Sequence, residues 1–227
     1  MATTSQRCLA EAIGTFALIF IGAGAIIADI LPGGGSGLLG IAFAHGLVLA
    51  VVVTATMNIS GGHINPAVTV GLWSVRKIDS KHAVLYIVAQ LVGAVLAAMA
   101  LKALYPAAAA AAVGLGTPVP ADGVTFGTAV AVEAVLTFFL VFAVFGTAVD
   151  HRAPKVGGFG IGLVLVFDIV AGGPLTGASM NPARTFGPAL VSGTWTDHLV
   201  YWIGPILGGL VAAIVYGRFL AVPETDA

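Results

Sequence analysis

Charge is what this chain has least of: Lys, Arg, Asp and Glu together make up 8% of its 227 residues, against about a quarter in ordinary soluble domains. With hydrophobic residues at 59% and a mean hydropathy of +1.05, it cannot build a water-soluble surface, and it reads as an integral membrane protein. The single cysteine, Cys8, excludes an internal disulfide framework. Nine Lys and Arg against ten Asp and Glu leave no basic patch for nucleic acid. No Gly-rich phosphate loop, Ser-His-Asp arrangement or metal-spaced cluster lies outside the apolar runs, and residues 106–124, the longest outer loop, are mostly Ala, Gly and Pro. Neither an enzyme nor a cofactor or metal site is expected.

What the chain does have is apolar length. Six runs, near 9–30, 39–57, 83–105, 125–149, 157–171 and 199–220, approach the roughly 20 residues a helix needs to cross the hydrocarbon. The fifth is short. The first follows Arg7 but is too long for a signal peptide and lacks a small-residue cleavage pattern, so it reads as a retained helix. If six helices alternate, Arg7, Arg76, Lys77, Lys81, Arg152, Lys155 and Arg218 share one side. The positive-inside rule then predicts a multi-pass protein of the cell membrane with both termini cytoplasmic. Lys102 falls at the outer end of the third span, and Arg184 fits neither face.

The two halves repeat. "EAIGTFALIF" from Glu11 resembles "EAVLTFFLVF" from Glu133, and "YIVAQLVGA" from Tyr86 resembles "YWIGPILGG" from Tyr201. One channel-sized domain, 1–227, thus contains repeats at approximately 8–105 and 124–220. Three spans per half is an odd number, so the second copy must enter the membrane inverted.

Each half carries one more element. "SGGHINPAVT", from Ser60, and "TGASMNPART", from Thr176, follow the second and fifth spans and precede helix-compatible stretches, 67–75 and 183–191, of about half the spanning length. Asn65 and Asn181 are natural N-caps, and Pro66 and Pro182 suit the first helical position, whose N–H has no helical partner. Non-helical backbone at membrane depth is tolerated only within protein or along a water-filled cavity. Two loops dipping from opposite faces therefore predict a cavity through the molecule. The fold expected is all-α: six transmembrane helices plus two re-entrant half-helices in an inverted tandem repeat.

Paired Asn65-Pro66-Ala67 and Asn181-Pro182-Ala183 boxes, Arg184 after the second, and a Glu in the first helix of each half resemble the major intrinsic protein family of aquaporins and glycerol facilitators. The resemblance covers about 9–220 and implies a passive water channel that excludes protons and ions, assembled as a homotetramer in the lipid bilayer. It also implies a filter at His45, Ile169, Ala178 and Arg184, similar to that of plant tonoplast intrinsic proteins, and wide enough for ammonia, hydrogen peroxide or urea. Carbonyls of Gly61, Gly62 and His63 would form an acceptor ladder for water, while Glu11 and Glu133 would brace the re-entrant loops. Physically, two abutting helix N-termini and the two Asn amides would donate to a central water oxygen, breaking a proton wire, and their positive field would oppose cations.

Alternatives stay open. A glycerol facilitator typically has Asp after the Arg and a basic residue four further on; Thr185 and Ala189 stand there instead. Asp168, an acid in the fifth span, has no place in the pattern. It could bond a loop or His45, or serve with Glu11 and Glu133 as the relay of a proton-coupled transporter. His82, His151 and His198, at helix ends, read as solvated.

Overall fold

The computed structural model describes residues 2–154 and 156–221; Lys155, counted above for orientation, lies outside them. Among the described residues nine α-helices follow in order: α1 (Thr4–Asp29), α2 (Gly37–Thr56), α3 (Pro66–Ser74), α4 (Ser80–Leu104), α5 (Ala107–Ala112), α6 (Phe126–Val144), α7 (Phe159–Thr176), α8 (Pro182–Ser192) and α9 (Val200–Val215). Single π-helical turns, Phe145–Val149 and Tyr216–Leu220, extend α6 and α9. Helices α1, α2, α4, α6, α7 and α9 are long and apolar enough to span, the half-helices α3 and α8 are not, and there is no strand among the described residues.

Helix starts follow from side-chain oxygens. Thr3, Asp79 and Thr125 cap α1, α4 and α6, each accepting a backbone N–H of the first turn. The fifth span does not stop at residue 171, where the apolar run of the sequence is read to end. Helix α7 continues through Gly172, Gly173 and Pro174 to Thr176, and Gly177 closes it in the left-handed conformation (φ 76°), donating its N–H to the Gly173 carbonyl. A proline so near a helix end removes one backbone bond without breaking the remaining turn.

The repeat governs packing. Helix α1 lies on α4 and α6 on α9, and in both seams a glycine brings backbones together: a Cβ on Gly93 would strike the Ala12 carbonyl, and one on Gly208 the Ala134 carbonyl. Helices α2 and α7, the equivalent middle spans, pack on one another at Gly46 and Gly162. Each half-helix lies against the last span of the opposite half, α3 on α9 and α8 on α4. Large apolar side chains at Leu9, Ile13, Val88, Phe139, Phe167 and Val211 point outward, as expected of a surface that meets lipid or further copies of the chain.

Candidate functional site

The two re-entrant loops are held open by carboxylates. Glu11, fully buried, accepts at Oε1 from Ser60 Oγ (2.6 Å) and the His63 N–H (2.9 Å), and at Oε2 from the Ile64 N–H (2.6 Å) and Gln90 Nε2 (2.8 Å). Glu133 repeats the arrangement: Thr176 Oγ1 (2.7 Å) and the Ser179 N–H (2.9 Å) donate to Oε1, and the Met180 N–H (2.7 Å) donates to Oε2. A carboxylate buried in a membrane protein is costly unless its lone pairs are filled. Here loop N–H groups that no helix or sheet would satisfy fill them. The hydroxyls of Tyr86 and Tyr201 complete the brace, donating to the carbonyls of Ser60 (2.8 Å) and Thr176 (2.7 Å).

This brace supports unusual backbone. Ile64 (φ 56°) and Met180 (φ 52°), each immediately before an Asn, sit in the left-handed region, which a β-branched Ile rarely adopts. The twist turns their carbonyls toward the opposite loop. Asn65 Nδ2 donates to the Met180 carbonyl (2.8 Å) and Asn181 Nδ2 to the Ile64 carbonyl (3.0 Å). Their Oδ1 atoms cap the half-helices, accepting from the Ala67 N–H and from the Ala183 and Arg184 N–H groups. The cross-bonds bring the N-termini of α3 and α8 together inside the protein. An amide nitrogen carries two hydrogens, so each Asn keeps one for whatever stands beside it.

Both Asn side chains face a narrow cavity that runs from Val53, Gly62 and His63 to His45, Ala178 and Arg184. One wall is apolar, built by Leu49, Leu140, Leu165 and Ile169 among others, and Arg184 is the sole formally charged residue among those lining it. Pro66, Ala67, Pro182 and Ala183 lie buried behind the wall, as do Glu11 and Glu133, and exposed Gly61 is not part of the lining. His63 Nδ1 pairs with Thr69 Oγ1 (3.1 Å), and the ring meets Tyr86 edge-on.

At the far end the guanidinium of Arg184 is buried and held from two sides. Nη1 donates to the Gly116 carbonyl (2.6 Å), and Nη2 lies 3.3 Å from His45 Nε2. His45 Nδ1 faces the Ile41 carbonyl at 2.8 Å. A ring nitrogen against a carbonyl must carry the proton and one against a guanidinium must accept, which fixes the tautomer as Nδ1–H. Gly22 of α1 makes the room, since a Cβ there would collide with the imidazole.

His45, Ile169, Ala178 and Arg184, the four positions that the family resemblance implies, all line this one cavity, but several partners were missed. Gly116 belongs to the outer segment read as a plain loop; that segment contains α5 and a 3-10 turn, Gly114–Gly116, that aims its carbonyl at Arg184. Ser60, Thr176, Tyr86 and Tyr201 occupy matching places in the repeats, and that correspondence could have marked them. Gln90 has no counterpart bond in the second half, where Pro205 stands in the aligned position. Asp168 bonds neither a loop nor His45: it is 5% exposed and its Oδ2 has no hydrogen-bond partner. His82 and His198 are not simply solvated. His82 bridges Asp79 and Thr4, and half-buried His198 accepts from the Trp202 indole.

The sequence model of the family described as "Major intrinsic protein" matches residues 1–216. The chain belongs to that family. It is 50% identical to Aquaporin TIP4-4 of Zea mays, with 95% of this chain and 87% of that protein covered. It is 43% identical to Aquaporin AqpM of Methanothermobacter marburgensis, with 95% and 98% covered. Among solved structures, the aquaglyceroporin from Plasmodium falciparum superimposes with a TM-score of 0.85 over 96% of this chain and 97% of that one. At 24% identity the likeness establishes the fold alone. This major intrinsic protein is therefore a multi-pass membrane protein of the aquaporin-like fold, and as a member of a channel family it is not an enzyme.

Proposed function

We propose that the chain is a passive water channel that excludes protons and ions and also passes small neutral solutes such as ammonia, hydrogen peroxide and urea. The reading rests on one observation above all: in the middle of a narrow cavity, two half-helix N-termini meet, and each capping Asn retains one unengaged amide hydrogen. A water between them accepts from both amides, points its own hydrogens outward along the cavity, and so cannot relay a proton. The positive ends of α3 and α8 add a field that opposes cations. Water is replaceable in such a site because its hydrogen bonds are exchanged for equivalent ones.

The filter is His45, Ile169, Ala178 and Arg184. Arg184 spends one N–H on Gly116 and faces His45 with another, leaving further donors for a permeant oxygen, while its charge repels cations. Ile169 and Ala178 give two sides no hydrogen-bonding group, which suits a small solute over a hydrated ion. The carbonyls of Gly62 and His63 serve the other half of the path. Glu11 and Glu133 brace the loops and take no part in transport, since their oxygens are engaged by the loop donors. The protein works as a homotetramer in the cell membrane with both termini cytoplasmic, the side on which Arg7, Arg76, Lys77, Lys81, Arg152 and Arg218 gather.

Proteoliposomes with an internal pH dye test this by stopped-flow light scattering. Fast osmotic shrinkage without proton entry, with urea passing and glycerol held back, is the expected result. Rapid glycerol entry would make it a glycerol facilitator, and proton-linked solute uptake would overturn the channel reading.

A further inference from the structure

We propose that the turn between α3 and α4 binds the headgroup of an anionic phospholipid, held by Arg76, Lys77 and Lys81 beside Trp73, with an acyl chain lying along α4. The half-helix α3 ends in a closed turn: the Arg76 N–H donates to the Trp73 carbonyl (3.0 Å) and the Lys77 N–H to the Leu72 carbonyl (2.9 Å). Such a pair of bonds puts the residue between them and the helix in the left-handed region, where glycine is the default. Helix α8 follows the rule with Gly193 (φ 84°), but α3 carries Arg76 there, at φ 61°. A guanidinium kept where the backbone disfavours any side chain implies a use beyond the fold itself.

Three cations gather at this turn without a counter-charge. Arg76, Lys77 and Lys81 are exposed, and no ion pair among the described residues includes them. The acid beside them, Asp79, is already engaged: it accepts the His82 N–H (3.0 Å) and pairs with the His82 ring (2.6 Å). Trp73 is 46% exposed, and its indole N–H, donated to Ser80 Oγ (3.0 Å), pins the ring across the turn. Trp73, Ser74, Arg76, Ile78, Asp79 and Ser80 line an open groove, and none of them lines the central cavity. On α4, Lys81 begins an outward row that continues as Val84, Val88 and Val92, all exposed and at helical spacing. An indole and basic side chains at the end of an apolar row are the pattern of a helix that meets the bilayer, whereas contacts between protein copies are poor in lysine. The row commits the site to a lipid, because a free phosphate would leave it unused. In the orientation proposed above, the turn faces the cytoplasmic leaflet, where anionic lipids concentrate.

Native mass spectrometry of the full chain in a neutral detergent tests this, with phosphatidylglycerol as ligand and phosphatidylcholine of the same chains and inorganic phosphate as comparisons. The parent should retain phosphatidylglycerol severalfold better than phosphatidylcholine and should not take up phosphate. Arg76→Gly is the most telling variant, because it removes the charge and relieves the backbone together. Its unfolding temperature without lipid should not fall, while phosphatidylglycerol retention should drop about fivefold, the share of one cation near an anionic surface. Lys77→Gln combined with Lys81→Gln should abolish the preference over phosphatidylcholine. Equal retention of the two lipids by the parent, or unchanged retention in Arg76→Gly, would overturn the proposal. Phosphate bound as tightly as the lipid would equally overturn it and make the turn a soluble-anion site. In vesicles, phosphatidylglycerol brominated on its chains should quench Trp73 fluorescence in a Trp195→Phe, Trp202→Phe background; absence of quenching would mean that a further copy of the chain covers this face, and the lipid site would be lost.

Discussion

Nη2 of Arg184 lies 3.3 Å from Nε2 of His45, whose other ring nitrogen donates to the Ile41 carbonyl. The guanidinium thus depends on an imidazole acceptor that its own helix orients. His45→Phe removes the acceptor, fills the space with an apolar ring and leaves one guanidinium N–H to the solute alone. Urea and ammonia permeability should fall at least severalfold while water flux persists, as measured by stopped flow and an internal pH dye.

Arg184→Val removes the one formal charge lining the cavity and the bond to Gly116. Water should still flow, and proton or cation leak should rise by an order of magnitude, about 1.4 kcal/mol of barrier. Planar-bilayer current is the direct readout, and an unchanged current would remove Arg184 from the role assigned to it.

Glu133→Gln replaces an oxygen that accepts loop N–H groups with an amide that must itself donate. At least one of the Ser179 and Met180 N–H groups then loses its partner, at a cost of about 1–3 kcal/mol for the stranded donor. Folded yield and heat resistance in detergent should both drop. Tyr201→Phe, which deletes a single neutral bond to the Thr176 carbonyl, should cost about 1 kcal/mol.

Ala178 lines the cavity as one of the four proposed filter residues, and the native cysteine, Cys8, is not in that lining. The parent should therefore resist mercury, whereas Ala178→Cys should be blocked by it and recover on adding a thiol. Strong inhibition of the parent would place a reactive group elsewhere on the path.

Asp150, just beyond the fourth span, accepts from Arg152 and from the Tyr216 hydroxyl, and Arg152 reaches on to the Leu220 carbonyl. The Arg152 hydrogen bonds hold this carboxyl well below the usual carboxylate range. A depressed acid stabilises the folded state above its unfolded pKa and loses that contribution as pH falls through the folded value. Acidification below the ordinary carboxylate range should thus loosen the tie between the α6–α7 connection and the end of α9. Protection of the amides at Arg152 and around Leu220, measured against the intrinsic exchange rate at each pH, should fall in acid, and Asp150→Asn should show the lower protection already at neutral pH.

How much of this was written in the chain can be argued residue by residue. Composition and apolar run length located the six spans within a few residues, because hydrocarbon thickness and helix rise leave little freedom. The fifth span was cut short at residue 171, because the apolar run is read to end there, whereas α7 continues through Gly172, Gly173 and Pro174 to Thr176. Asn65 and Asn181 with their prolines fixed where α3 and α8 begin, because capping is a local matter settled within four residues.

What the local sequence could not reach were bonds between residues far apart in the chain. Asn65 meets Met180 across the repeat axis, Arg184 finds the Gly116 carbonyl in a segment of Ala and Gly, and His45 takes one tautomer because Ile41 and Arg184 stand on either side of it. Asp168 is the sharpest case. As a letter it could have been a relay, a brace or a filter neighbour, and only the folded packing decides that no donor reaches its Oδ2. The sequence determined the fold and the family through short-range rules of length, capping and repetition, whereas tertiary structure decided which polar atoms are satisfied, because that depends on what the inverted halves bring face to face.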